Sequence, residues 1–208
     1  RGGVIDGGGK GTVVRIEAAG ARVEGVRIAN SGVDLGGPDA CVWIGPAATG
    51  AAVVGSELRG CAFGIWVHET DGVQLVDNAI AGRGDLREAD RGNGIHLFDA
   101  SNLLVRGNRI EHARDGIYVS ATEDSAIEAN EASDVRFGIH YMYSYRNAVR
   151  DNAMRDSKVG IALMESRNLV VTGNVASGNA REGLLFRDVQ GSTIRGNRRG
   201  GTGTGTFF

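Results

Sequence analysis

Residues 94–108 read GIHLFDASNLLVRGN and residues 116–130 read GIYVSATEDSAIEAN. Both stretches open on a Gly followed by an apolar residue, and both close on an Asn 14 positions later. The same pairing recurs outward in both directions, with Gly64, Gly94, Gly116, Gly138, Gly160 and Gly183 followed by Asn78, Asn108, Asn130, Asn152, Asn174 and Asn197. Including Gly205, the steps between successive Gly markers are 30, 22, 22, 22, 23 and 22 residues. Two markers that hold one offset through six repeats identify a repeat architecture.

Within each unit the pattern is that of strands. The residue after the Gly is Ile65, Ile95, Ile117, Ile139, Ile161 or Leu184, and two positions further stand Val67, Leu97, Val119, Tyr141, Leu163 or Phe186. Apolar, variable, apolar is the period of two of a strand with one buried face. A second apolar column follows at Leu75, Val105, Ile127, Val149, Val171 and Ile194. Short strands, turn residues and no period of 3.6 predict an all-β fold, a right-handed parallel β-helix with coils of about 22 residues. The leucine-rich repeat is excluded because its Leu spacing and helical half are missing. The Asn column then forms a ladder at a turn between coils, its amides bonding up and down the stack.

Composition agrees with a chain of turns. Of 208 residues, 34 are Gly and two are Pro, and only 6% are aromatic. That is more than twice the usual Gly content, without a collagen period. A net charge of −2 without long Lys and Arg runs argues against nucleic acid as a partner. No apolar run approaches the roughly 20 residues that span a bilayer. Cys41 and Cys61 are too few for a disulfide framework and are read as buried thiols, with a bridge between them left open. The Gly-rich stretch from Gly7 to Gly11 lacks the ending of a phosphate loop.

Residues 1–208 are expected to form one β-helix domain. The segments VIDGGGKGTVVRI and ARVEGVRIANSG look like its earliest coils, and Val42-Trp43-Ile44 lies 23 residues before Ile65-Trp66-Val67, with Cys41 replacing the marker Gly. The 30-residue step holds eight extra residues, placed at Gly82 to Ala89, as a tolerated excursion or a docking loop. Because the chain starts at Arg1 without a leader pattern, and Gly205 to Phe208 begins a coil and stops inside its strand, it is expected to be a trimmed piece of a longer protein.

Two outward columns hold the soft and titratable side chains. The first is Trp66, His96, Tyr118, His140, and the second is His68, Phe98, Ser120, Met142, Met164. Stacked neighbours stand about 4.8 Å apart and residues i and i+2 about 6.7 Å apart. Met142 and Met164 are thus vertical neighbours with His140 beside Met142, a set of thioethers and imidazole suited to Cu(I). His96, two coils from His140, is a supporting or transfer ligand. Met154 falls in an inward column as a core filler, and His112 is an ordinary surface histidine. Tyr141 is inward, in an aromatic core stack, and its hydroxyl needs an internal partner. Tyr143 and Tyr145 are candidates for a partner-binding patch. The acidic edge at Glu69, Asp99 and Glu165 is interrupted by Ala121 and Tyr143 and reads as a solvated turn, so no catalytic group is assigned.

The coil pattern resembles the broad family of carbohydrate-binding and sugar-hydrolase-like β-helices. More narrowly, GNGIHLFDASNLLVRGNRIEHARDGIYVS, RFGIHYMYSYRNAVRDN and VGIALMESRNLVVTGN resemble the NosD family of periplasmic β-helix proteins, over roughly Val4 to Gly196. This resemblance implies a non-enzymatic role in maturing the copper sites of nitrous oxide reductase. It implies a periplasmic location and, as partners, the membrane subunit of an ABC transporter, a copper chaperone and the reductase. The competing reading is a β-helix that binds or modifies polysaccharides in the manner of an epimerase or lyase.

Overall fold

The computed structural model describes residues 3–201 and 203–207. Arg1 and Phe208, which figure in the reading of the termini, lie outside them. The described residues form a parallel β-helix of three sheets, two of nine strands and one of eight, in which each strand pairs in parallel with its equivalent one coil away. One coil runs Leu104–Arg106, Arg109–Glu111, Asp115–Ser120, and each of its three strands belongs to a different sheet. Strands of the sheet containing Asp115–Ser120, here the front sheet, reach six residues, whereas the other two sheets use three-residue strands. The early coils fall where the sequence puts them, starting with strands Val4–Asp6 and Val14–Ile16. Thr204–Phe207 pairs with Glu182–Arg187, so the coil expected at Gly205 is present as far as Phe207.

The interior is filled by the predicted columns. Ile65, Ile95, Ile117, Ile139 and Ile161 are fully buried in one continuous cluster, together with Leu75, Val105, Ile127, Val149 and Val171. Burying a side chain of this size is worth about 1.5–3 kcal/mol, and each stacks on its own kind one coil away. Met154 joins this cluster, as expected of an inward filler. Tyr141 is fully buried in it as well, but its hydroxyl finds no hydrogen-bond partner among the described residues. Burial pushes that phenol well above its ordinary range. The internal partner expected for the Tyr141 hydroxyl is therefore not found among the described residues, the ring being packed into the apolar core cluster.

The marker Gly is explained by close approach. A Cβ on Gly116 would lie 2.5 Å from the Gly138 carbonyl oxygen and 2.8 Å from Ala132 Cβ, and one on Gly138 would lie 2.5 Å from Met154 Sδ. Any side chain would wedge adjacent coils apart. Cys41 stands in this column and is the exception that shows the rule: it is bonded to Cys61, with Cα atoms 5.5 Å apart across a separation of 20 residues. The reading as free thiols is corrected by this bridge. The ring it closes is nearly one coil, so it staples two successive coils.

The Asn column is a buried ladder. Asn108 Nδ2 donates to Asn130 Oδ1 at 2.9 Å, Asn130 to Asn152 at 3.0 Å and Asn152 to Asn174 at 2.9 Å. Each Oδ1 also accepts the backbone N–H of the preceding Asn, as in Asn108 N to Asn130 Oδ1 at 3.0 Å. The second amide hydrogen closes the turn inside the stack, for example from Asn130 to the Val105 carbonyl at 2.9 Å. The residue just before each Asn turns through the left-handed region, as at Asp77, Gly107, Ala129 and Asp151.

Replacing Asn130 by Ala removes the buried acceptor of the Asn108 backbone N–H and of one Asn108 side-chain N–H, and takes one donor from the Val105 carbonyl. It is expected to lower unfolding free energy by about 3 kcal/mol in urea titrations, against little change for exposed Arg109→Ala. Cys41→Ala combined with Cys61→Ala should also cost about 3 kcal/mol, and reductant should destabilise only the parent chain.

Candidate functional site

On the front sheet the first outward column is held in strict register: Trp43 opposite Trp66, Trp66 opposite His96, His96 opposite Tyr118, Tyr118 opposite His140, and His140 opposite Ala162. Parallel pairing therefore turns a sequence period into a stack of rings. Trp66 and His96 are stacked, with centroids 3.7 Å apart, and Tyr118 follows His96 at 4.8 Å. Tyr118 then meets His140 edge to face at 5.1 Å. In the second column Met142 is opposite Met164, so the predicted thioether pair does occupy adjacent coils.

The expected exposure of this edge is not found. His140 and Met164 are each only 9% exposed, because the outward side chains here pack on one another. Val159, Ala162 and Met164 form a small buried cluster against Phe137, Met142 and Leu185, outside the main core. His96 and His140 both line a cleft of about 350 Å³, with Tyr118 between them. His140 leans toward this cleft, its ring 4.5 Å from that of Phe137.

At the cleft floor lies Asp115, the first residue of its strand, with a side chain 1% exposed. Arg136 reaches it through two parallel bonds of 2.8 and 2.7 Å, and His140 Nδ1 meets it at 2.9 Å. Burial alone would raise the Asp115 carboxyl, but the hydrogen bonds and charges of His140 and Arg136 hold it below the ordinary range. An ionised carboxylate only accepts, so His140 donates from Nδ1. Its Nε2 is buried and has no partner among the described residues. A carboxylate that fixes one imidazole nitrogen and leaves the other open is the arrangement that orients metal-binding histidines.

A second chain of bonds holds His96. Asn93 Nδ2 lies 3.1 Å from His96 Nδ1, while Asn93 Oδ1 accepts the Asp115 backbone N–H at 3.2 Å. Burial pushes His96 down to about 4, more than the nearby Asp115 charge pulls it up, and His68 adds to the lowering. His96 is thus a neutral imidazole at ordinary pH. Among the described residues no three His, Cys, Asp or Glu side chains converge as a metal-binding group. Met142, Met164 and His140 do not depend on such a cluster, since two of the three are thioethers.

Sequence reading missed Asp115, Arg136 and Asn93. The signal was present: the residue before the marker Gly runs Phe63, Asn93, Asp115, Phe137, Val159, Glu182, and its polar members flank the His column. The cleft walls were missed for another reason, since they come from long connections. One wall is the inserted segment, which follows Ala79–Ala81, contains the short 3-10 turn Glu88–Asp90 and brings in Arg91. It lies along the coils instead of projecting from them, with Glu88 bound to Lys158 Nζ at 2.6 Å. The other wall is Leu35, in the connection before Ala40–Ile44. His112 is at the surface, 2.6 Å from Asp134. The acidic edge is a row of left-handed turns at Glu69, Asp99, Ala121, Tyr143 and Glu165, as read from the sequence.

A family model described as "Periplasmic copper-binding protein (NosD)" matches residues 76–208. The chain is 54% identical over 202 residues to a "Probable ABC transporter binding protein NosD" of Pseudomonas aeruginosa, covering 97% of this chain and 47% of that protein. It therefore spans about half the length of that relative. Among solved structures it is similar to the Streptococcus pneumoniae surface protein and adhesin PfbA, with a TM-score of 0.68, 14% identity and coverage of 95% of this chain and 63% of the other. It is also similar to the periplasmic alginate epimerase AlgG, with a TM-score of 0.54, 13% identity and coverage of 90% and 61%. At these identities the two structures attest the fold alone.

The depressed His96 gives a pH dependence. Between the ordinary 6.5 and about 4 the unfolded chain binds a proton at this side chain that the folded chain does not. Its contribution is thus present above pH 6.5 and lost as pH falls toward 4, by about 2 kcal/mol. Urea midpoints taken from pH 7 to 4 should fall less steeply for His96→Phe than for the parent. Parallel pH slopes for the two proteins would contradict a neutral, buried His96.

Proposed function

The chain belongs to the NosD family, and on that premise we propose that it is a non-enzymatic copper-handling segment of a periplasmic maturation protein. Copper is its cargo, not a resident catalytic centre. The reading rests on one observation above the others: His140 has Nδ1 engaged by a buried carboxylate and Nε2 unpartnered, two residues from a thioether paired in register with a second one. The donors suit Cu(I). Thioether sulfur is soft, neutral imidazole accommodates copper, and the surrounding apolar cluster of Val159, Ala162 and Leu185 keeps water from competing.

In this reading Met142, Met164 and His140 hold the ion. Arg136 neutralises the Asp115 carboxylate, so that the carboxylate orients the imidazole without leaving an unpaired buried charge. His96 lies on the same cleft beyond Tyr118 and serves as the transfer ligand. A disulfide between Cys41 and Cys61 supports an oxidising compartment such as the periplasm. The printed name of the relative supports association with an ABC transporter. We extend this to a copper chaperone and nitrous oxide reductase as the donor and acceptor of the ion, with Tyr143 and Tyr145 in the docking patch. Tyr143 is 48% exposed, as such a role requires.

Anaerobic Cu(I) titration against a competing chelator tests the ligand set. Met142→Leu with Met164→Leu is expected to weaken binding at least tenfold. Asp115→Asn should weaken it by about 10–100-fold through His140 alone. Circular dichroism confirms that each variant is folded. Unchanged affinity in the double Met variant would move the copper elsewhere, and glycan binding without copper uptake would replace the reading altogether.

A further inference from the structure

The cleft beside His140 carries polar groups that the copper reading does not use. Arg114 lines it and is partly buried, yet its guanidinium has no hydrogen bond or ion pair to any described residue. Its neighbours are different: Arg136 is committed to Asp115, and Arg91 donates to the Leu86 carbonyl at 2.9 Å. Trp66 also lines this cleft, and its Nε1 is a buried donor with no partner among the described residues. An indole N–H only donates and a guanidinium only donates, so both call for an acceptor. For the buried indole N–H the lack of one is costly, and the half-buried Arg114 guanidinium brings an uncompensated positive charge to the same cleft, so an anionic ligand would serve both.

The remaining surface defines the rest of that ligand. The Trp66 and His96 rings lie nearly parallel, 20° apart, and Phe63 meets Trp66 at 90° with centroids 4.7 Å apart. Phe63, Trp66, His96 and Tyr118 form a contiguous aromatic flank of the cleft, and Leu35, Arg91, Arg114 and Arg136 also line it. Its volume of about 350 Å³ falls in the range of small-molecule sites. Asp115, the acidic group in its lining, is already neutralised by Arg136, which leaves the positive charge of Arg114 to be balanced.

We propose that this cleft binds a small organic anion, a carboxylate attached to a flat apolar ring. The carboxylate pairs with Arg114 and accepts from Trp66 Nε1, while the ring packs against the aromatic flank. This assignment goes beyond copper handling and shares neither Met142 nor Met164 with it.

Benzoate is the probe, with benzamide as its neutral isostere and inorganic phosphate as an anion without a ring. In a titration followed by amide and indole nitrogen–proton spectra, benzoate should shift the Trp66 indole resonance saturably and leave that of Trp43 in place. Trp66→Phe assigns the signal. Binding should fall at least tenfold for Arg114→Gln, recover in part for Arg114→Lys, and persist in the Met142→Leu, Met164→Leu double variant expected to weaken copper binding. Benzamide or phosphate binding as well as benzoate overturns the assignment, as does an Arg114→Gln variant that binds benzoate unchanged or a parent chain that shows no saturable shift.

Discussion

A column of carboxamides stacked at one turn of each coil from Asn78 to Asn197 is what holds the coils in register. Strands satisfy their own backbone through the parallel ladder, but a turn that bends the chain from one sheet to the next leaves N–H and C=O groups pointing into the stack. The Asn side chain has two donors and an acceptor able to take two bonds, and the inner ladder positions use all of them: Asn108 donates to Asn130 one coil on and to the Leu75 carbonyl one coil back, and accepts the backbone and side-chain N–H of Asn78. Ser or Asp could satisfy only part of this set. The ladder also fixes the register, since an insertion within a coil would put another residue at the Asn position. Long excursions are consequently confined to the connections that feed the front sheet, and those connections become the walls of the cleft.

Fixed register is also what builds the site. Side chains far apart in sequence become contacts because equal positions in successive coils superpose: Trp66, His96, Tyr118 and His140 form one line of rings, and Met142 falls against Met164. The same superposition puts Asp115 within reach of both Arg136 and His140, from the next coil. The front sheet carries this chemistry because its strands are the longest and present two outward columns instead of one.

Those parts of the molecule set by the period were legible in the sequence. The Gly and Asn markers gave the coil length, the alternation gave the inward Ile and Val columns, and the column positions gave the Met142 and Met164 pair. What escaped was whatever departs from the period. Asp115 occupies a column that is otherwise mostly apolar, and only three-dimensional contact with Arg136 reveals why. The burial of His140 and Met164 depends on outward side chains packing sideways, which a two-sided strand pattern does not register. The Cys41 bridge was undecided because a single Cys in a Gly column has no repeat to interpret it. Tyr141 shows the opposite error: chemistry demanded a partner for its hydroxyl, and packing overrode the demand.

Solenoids are held together mainly by contacts between adjacent coils, so that one coil can loosen while distant ones remain ordered. The inserted segment departs from this, because Glu88 leaves one coil and is bound to Lys158 three coils further along, at a sequence separation of 70. That tie crosses the coils carrying His96, Tyr118 and His140, and as a surface ion pair it is worth at most about 1 kcal/mol, enough to favour their moving together and not enough to lock them. The inserted segment is therefore a strap laid over the cleft-bearing coils, while the spacing of the rings rests on the strand pairing beneath it.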